Sequence, residues 1–190
     1  MKFLLKKTDN NLFIFYFFIA KVFNVSTSLF SFYPLVFISF QEKEGQSVLL
    51  VLGIVYILLA LILVILSIIG NQLVYNFLNM TFVDNQFSDK ISKKYFFAIC
   101  SKVSLLVSIF VFFINLVYFI IKLDIEAIIY FQTNYGQNIN NLLVLIGYAI
   151  VGIILNNILK EKRMFQYVTY SLIPYSVLTF IVHFLPKYLL

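Results

Sequence analysis

Residues 47–70 read "SVLLVLGIVYILLALILVILSIIG". This run holds 24 residues without a single charge. A helix rises about 1.5 Å per residue, so roughly 20 apolar residues cross a hydrocarbon layer of about 30 Å. A lone β-strand of the same residues would leave its backbone N–H and C=O groups unpaired in lipid, whereas a helix pairs them within itself. The run therefore predicts a transmembrane helix, and it makes lipid the solvent against which the rest of the chain is read.

The composition agrees. The chain has 190 residues, 62% of them hydrophobic and 12% charged, with a mean hydropathy of +0.98. Its 14 basic and 8 acidic side chains are too few to clothe a domain of this length in water. Residues 1–190 are expected to form one membrane domain, an all-α polytopic helical bundle. The net charge of +6 comes from basic residues that flank apolar runs. That suits the anionic inner face of a membrane, and no groove of interleaved basic and aromatic residues for nucleic acid is visible. The expected partners are the lipid bilayer and other membrane proteins. A preference for Phe, Ile, Asn, Lys and Tyr fits an AT-rich genome, and a bacterial cell membrane is the expected location.

Working outward from 47–70, four further spans emerge. "VSLLVSIFVFFINLVYFII", 103–121, lies between Lys102 and Lys122. "LLVLIGYAIVGIILNNIL" covers 142–159 and "FQYVTYSLIPYSVLTFIVHFL" covers 165–185. The first span is expected at 22–40, with Lys21 reaching back to the headgroups. Residues 1–21 then form an interfacial segment, or 3–20 lengthen the first helix. A cleaved signal peptide is disfavoured because Phe18 stands at position −3 of the site after Ala20.

The loops test this count. Lys2, Lys6 and Lys7 against Asp9 leave +2 before the first span, and Glu42, Lys43 and Glu44 leave −1 after it. Residues 76–102 carry +2, 122–140 carry −1, and the cluster Lys160, Glu161, Lys162 and Arg163 carries +2. Ten of the fourteen basic residues thus fall on one side. This alternation is the positive-inside pattern, with the N-terminus in the cytoplasm. The stretch "FSDKISKKYFFAICSK", 87–102, is expected to be a cytoplasmic amphipathic helix. Ser88 would be its cap, and Phe87, Ile91 and Tyr95 stand four apart.

Polar residues inside the spans recur at helical spacing. Ser101, Ser104, Ser108, Asn115 and Lys122 share one face. Lys21, Asn24, Ser28 and Ser31 form a second stripe. Tyr148, Gly152 and Asn156 form a third, and Thr169, Ser176 and His183 a fourth. Such stripes face a bundle interior, where hydroxyls and amides find partners. Ser104, Ser108, Asn115, Asn156 and Ser176 are the candidate intrabundle contacts. Their expected role is interhelical glue, with a polar pathway as the alternative. No acidic residue lies in any predicted span, which argues against proton or sodium coupling. His183 is the sole histidine and Cys100 the sole cysteine. No metal site, cofactor motif or catalytic set is expected. Pro174 should kink the last span.

Five spans, an inner amphipathic stretch between the second and third, a short basic turn before the fifth, and "YSLIP" within it resemble the Yip-domain family of membrane proteins. The resemblance covers about residues 47–185. It implies a five-helix, non-catalytic membrane protein. The long cytosolic region and DLYGP motif of the eukaryotic members are missing, so a Rab-type partner is not implied. The function expected from the sequence is that of a non-enzymatic accessory or scaffold subunit of a membrane transport or secretion complex. A transporter or substrate-binding component is the alternative, and a self-immunity protein against a membrane-active peptide is a further one.

Overall fold

A computed structural model describes residues 12–29, 45–81, 86–122, 137–159 and 166–173. They form α1 (Phe13–Leu29), α2 (Gly45–Thr81), α3 (Gln86–Lys90), α4 (Lys93–Lys122), α5 (Gln137–Leu159) and a helix over 166–173, here α6. No strand occurs among the described residues. Three stretches are long and apolar enough to cross a membrane: Leu50–Thr81, Lys93–Tyr118 and Asn141–Leu159. They contain the span predicted at 142–159 and most of those at 103–121 and 47–70. The protein is therefore an all-helical membrane protein.

The 37 residues of α2 reach about 55 Å, well beyond the predicted span. No proline or charge interrupts "NQLVYNFLNMT" after Gly70, so nothing stops the helix there. Its polar side chains fold back on their own turns. Ser67 Oγ donates to the Leu63 carbonyl at 2.8 Å, Asn71 Nδ2 to the Ser67 carbonyl at 2.8 Å, and Thr81 Oγ1 to the Phe77 carbonyl at 3.1 Å. Each bond satisfies a polar group without needing water.

Ring contacts set the directions of the helices. Phe13 meets Phe97 with centroids 5.5 Å apart, and Phe23 meets Phe112 at 5.2 Å, so α1 and α4 run parallel. At the C-terminal end of α1, the Tyr56 hydroxyl donates to the Val22 carbonyl at 2.7 Å and lies 2.6 Å from Ser26 Oγ. At the N-terminal end of α4, Tyr75 packs on Phe96 at 5.4 Å. Hence α2 runs opposite to both. The most extensive packing is α1 on α4, followed by α1 on α2 and α4 on α5.

Two places bear on the sequence expectation. Of the two readings of residues 3–20, the lengthened first helix fits: α1 begins at Phe13 and passes through Lys21 without a break, so Lys21 is not its boundary. A continuous apolar run on both sides of one lysine gives the backbone no reason to stop. The 87–102 stretch is likewise not one helix. It breaks at Ile91–Ser92, and Ser92, not Ser88, caps the longer piece: the Tyr95 amide donates to Ser92 Oγ at 3.3 Å. The apolar face of Phe87, Ile91 and Tyr95 is buried, but inside the bundle. Every residue from Tyr95 to Val103 is buried. Sequence spacing finds an apolar face but does not say what covers it.

The bundle has a dense end and a bare end. Tyr75, Phe87, Phe96, Phe97 and Tyr167 form the aromatic centre of the dense end. In α2, by contrast, Ala60 and Val64 are the only buried residues from Leu50 to Leu66. Exposed Leu, Ile and Val over that length is unsuited to water and ordinary in lipid. The basic cluster at 160–163, Pro174, Ser176 and His183 lie outside the described residues.

Candidate functional site

A cavity of about 460 Å³ lies between α1, α2, α4, α5 and α6. It follows from where each helix keeps small or polar residues on its inner face. In α4 the lining residues are Cys100, Val103, Ser104, Val107, Ser108 and Val111. Their steps of three and one trace a single stripe about 16 Å long. Facing them, α2 supplies Leu59, Leu63, Ser67, Gly70 and Asn71, in steps of four, three and one, and α1 supplies Phe17, Lys21, Asn24 and Val25. Valine and serine in α4 are too short to reach across, so the space between the helices stays open.

On the fourth wall α5 comes close. A Cβ on Gly147 would stand 3.1 Å from Val107 Cγ2 and 3.8 Å from Val103 Cγ1. The missing side chain lets α5 approach α4, and anything larger would press Val107 towards the cavity. At the dense end the wall is phenolic. The Tyr167 hydroxyl lies 3.7 Å from Cys100 Sγ, and the Tyr148 and Tyr167 rings meet edge to face at 6.4 Å. Ser171, one turn beyond Tyr167, sits beside that hydroxyl but makes no well-formed hydrogen bond.

The charge in this cavity is Lys21. The parallel register of α1 and α4, fixed by Phe13 on Phe97 and Phe23 on Phe112, places Lys21 opposite Val107 and Ser108. Those residues lie near the middle of the 26-residue apolar stretch Lys93–Tyr118. Lys21 thus faces the inside of the bundle, beside the middle of that apolar stretch. It is half-buried and forms no ion pair or hydrogen bond with another described residue. A second cation, Lys102, is fully buried next to α1, with its Nζ 5.9 Å from the centroid of the Tyr16 ring, and it does not line the cavity. The one carboxylate among the described residues, Asp89, is exposed.

The candidate residues from the sequence divide clearly. Ser104 and Ser108 line the cavity, and Ser108 is 2% exposed. Asn115 is buried but turned onto its own helix, where Nδ2 donates to the Val111 carbonyl at 2.8 Å. Asn156 is half-buried on α5 away from the cavity, and Ser176 lies outside the described residues. The side chains of Ser28 and Lys122 are likewise outside them. Ser67, Asn71 and Tyr167 were not legible as site residues. Ser67 and Asn71 stand four apart where the aliphatic run of α2 ends, which was the available signal. The sole cysteine is enclosed rather than presented at a surface.

No protein-family model, curated protein or solved structure matches the chain. Its chemistry has to be read from the site itself. Among the described residues no group of three His, Cys, Asp or Glu side chains is placed to hold a metal. The lining offers one ammonium group, hydroxyls, amides and phenols set in aliphatic walls. That combination suits the capture of a small polar or charged molecule away from bulk water.

Proposed function

We propose that this protein is a non-enzymatic, multi-pass membrane component that binds a small substrate inside its helical bundle, as a transporter or a substrate-binding subunit. The observation that carries this is the cavity of about 460 Å³ with the Lys21 ammonium on its wall. Ligand pockets span roughly 300–1,000 Å³ and combine apolar walls with a few polar groups. An ionisable residue at mid-depth in a membrane bundle is costly and marks a substrate or ion route more often than simple packing. Lipid-facing helices need no internal void, and packing alone would favour filling it. The accessory subunit, the first reading from the sequence, becomes the second here, favoured by the bare outer face of α2, which a neighbouring membrane protein as well as lipid would cover. The five-span layout with a cytoplasmic N-terminus, and the resemblance to Yip-domain proteins that goes with it, belong to the proposal.

Single cysteines test it, because thiolate reagents attack only where water reaches the sulfur. In a Cys100→Ser background, Ser108→Cys and Asn71→Cys should react with a small methanethiosulfonate reagent. Leu145→Cys, on the exposed apolar side of α5, should not. Silence at both cavity positions in a folded protein would mean a dry void, and the accessory subunit would take precedence.

A further inference from the structure

We propose that the cavity recognises an organic monoanion, a carboxylate-headed single-chain amphiphile, with Lys21 as its counter-charge. This rests on the pocket being a binding site and adds the class of ligand.

Charge comes first. Among the described residues, Lys21 is the only formally charged side chain on the cavity wall. Burying an ammonium group without a partner is expensive, and the cost is met either by losing the proton or by gaining an anion. Among the described residues no carboxylate faces it, since the one there is exposed Asp89 on α3. The Lys21 ammonium on the wall disfavours a cationic ligand.

Hydrogen-bond donors come second. Ser104 and Ser108 stand at the level of Lys21 on α4, and neither bonds to another described residue. Ser108 is almost wholly buried, and buried hydroxyls are normally satisfied. Ser67, by contrast, donates its proton to its own helix. Two hydroxyls and an ammonium on the walls of one cavity make a donor set that suits the two oxygens of a carboxylate.

Walls come third. Around that donor set stand Leu59, Leu63, Val25, Val107, Val111 and Val144. Aliphatic walls over about 16 Å of helix suit a hydrocarbon chain and give no reason to prefer a hydrated inorganic anion. The volume matches a single-chain molecule of small-ligand size.

The test uses the full chain in nanodiscs of zwitterionic phosphatidylcholine, with radiolabelled dodecanoate counted above the level in empty discs. Saturable binding is expected. Unlabelled dodecanoate should compete, while dodecanol and dodecyltrimethylammonium, with the same chain, should not. Lys21→Gln should weaken binding at least tenfold with helicity and melting unchanged, and Lys21→Arg should stay within a few-fold of the wild type. Competition by dodecanol equal to that by dodecanoate, or competition by chloride in the millimolar range, would overturn the anionic-amphiphile assignment while leaving a ligand pocket in place. Absent saturable binding would overturn it too; the cysteine labelling above then tells whether the pocket itself survives. The head-group competition runs on the wild type, so a Lys21→Gln protein that fails to fold does not remove the test.

Discussion

Tyr75 ties α2 to the break between α3 and α4, and removing one oxygen atom tests how much that tie contributes. The Tyr75 side chain is 6% exposed, and its hydroxyl donates to the Ile91 carbonyl at 3.1 Å. That carbonyl lies where the helix is interrupted, and there the Tyr95 amide turns to Ser92 Oγ. The ring itself rests edge to face on Phe87 at 5.4 Å and tilted on Phe96 at 5.4 Å. Tyr75→Phe keeps both ring contacts and the same volume, so nothing is lost but the hydrogen bond. Leaving a buried acceptor without its donor costs about 1–3 kcal/mol. At 1.4 kcal/mol per factor of ten, the unfolding equilibrium should shift roughly five- to 150-fold. For comparison, Phe96→Ala would open a cavity in the same cluster and should cost about 3–5 kcal/mol. The assay is reversible unfolding in mixed micelles of mild detergent and dodecyl sulfate, followed by far-ultraviolet circular dichroism. A Tyr75→Phe protein as stable as the wild type would refute the claim that this hydroxyl secures the α3–α4 break.

Asn115→Leu should cost under about 1 kcal/mol or stabilise the bundle, because bonds of this kind in membrane helices average about 0.6 kcal/mol and the Nδ2 partner is the Val111 carbonyl of its own helix. The same unfolding assay checks it, and a loss above about 2 kcal/mol would show that Asn115 has a structural partner beyond α4. For topology, single cysteines at Gln46 and Asn138 should react with a membrane-impermeant maleimide in intact cells, and one at Met164 should not. Labelling at Met164 from outside would reverse the orientation inferred from the loop charges.

Much of this architecture is legible in one dimension because lipid imposes a strict rule. Every backbone polar group in hydrocarbon must pair inside its own segment, so long uncharged runs such as 47–70 have one available structure. The periodicity of Ser104 and Ser108 likewise marks an inward face, since helical spacing alone puts them on one side of α4. What periodicity lacks is the identity of the neighbour. Lys21 at the edge of an apolar run reads as an anchor; only the register of α1 against α4 carries it to the level of Ser108. Phe87, Ile91 and Tyr95 read as a surface-lying face; only the packing of α2 and α4 encloses them. Ser67 and Asn71 are two of several polar residues in α2 until Cys100, Ser104 and Tyr167 are brought opposite. The local helix follows from hydrogen bonds between residues four apart, which the sequence specifies. The cavity follows from which short side chains meet across helices far apart in the chain, and that is decided only when the bundle closes.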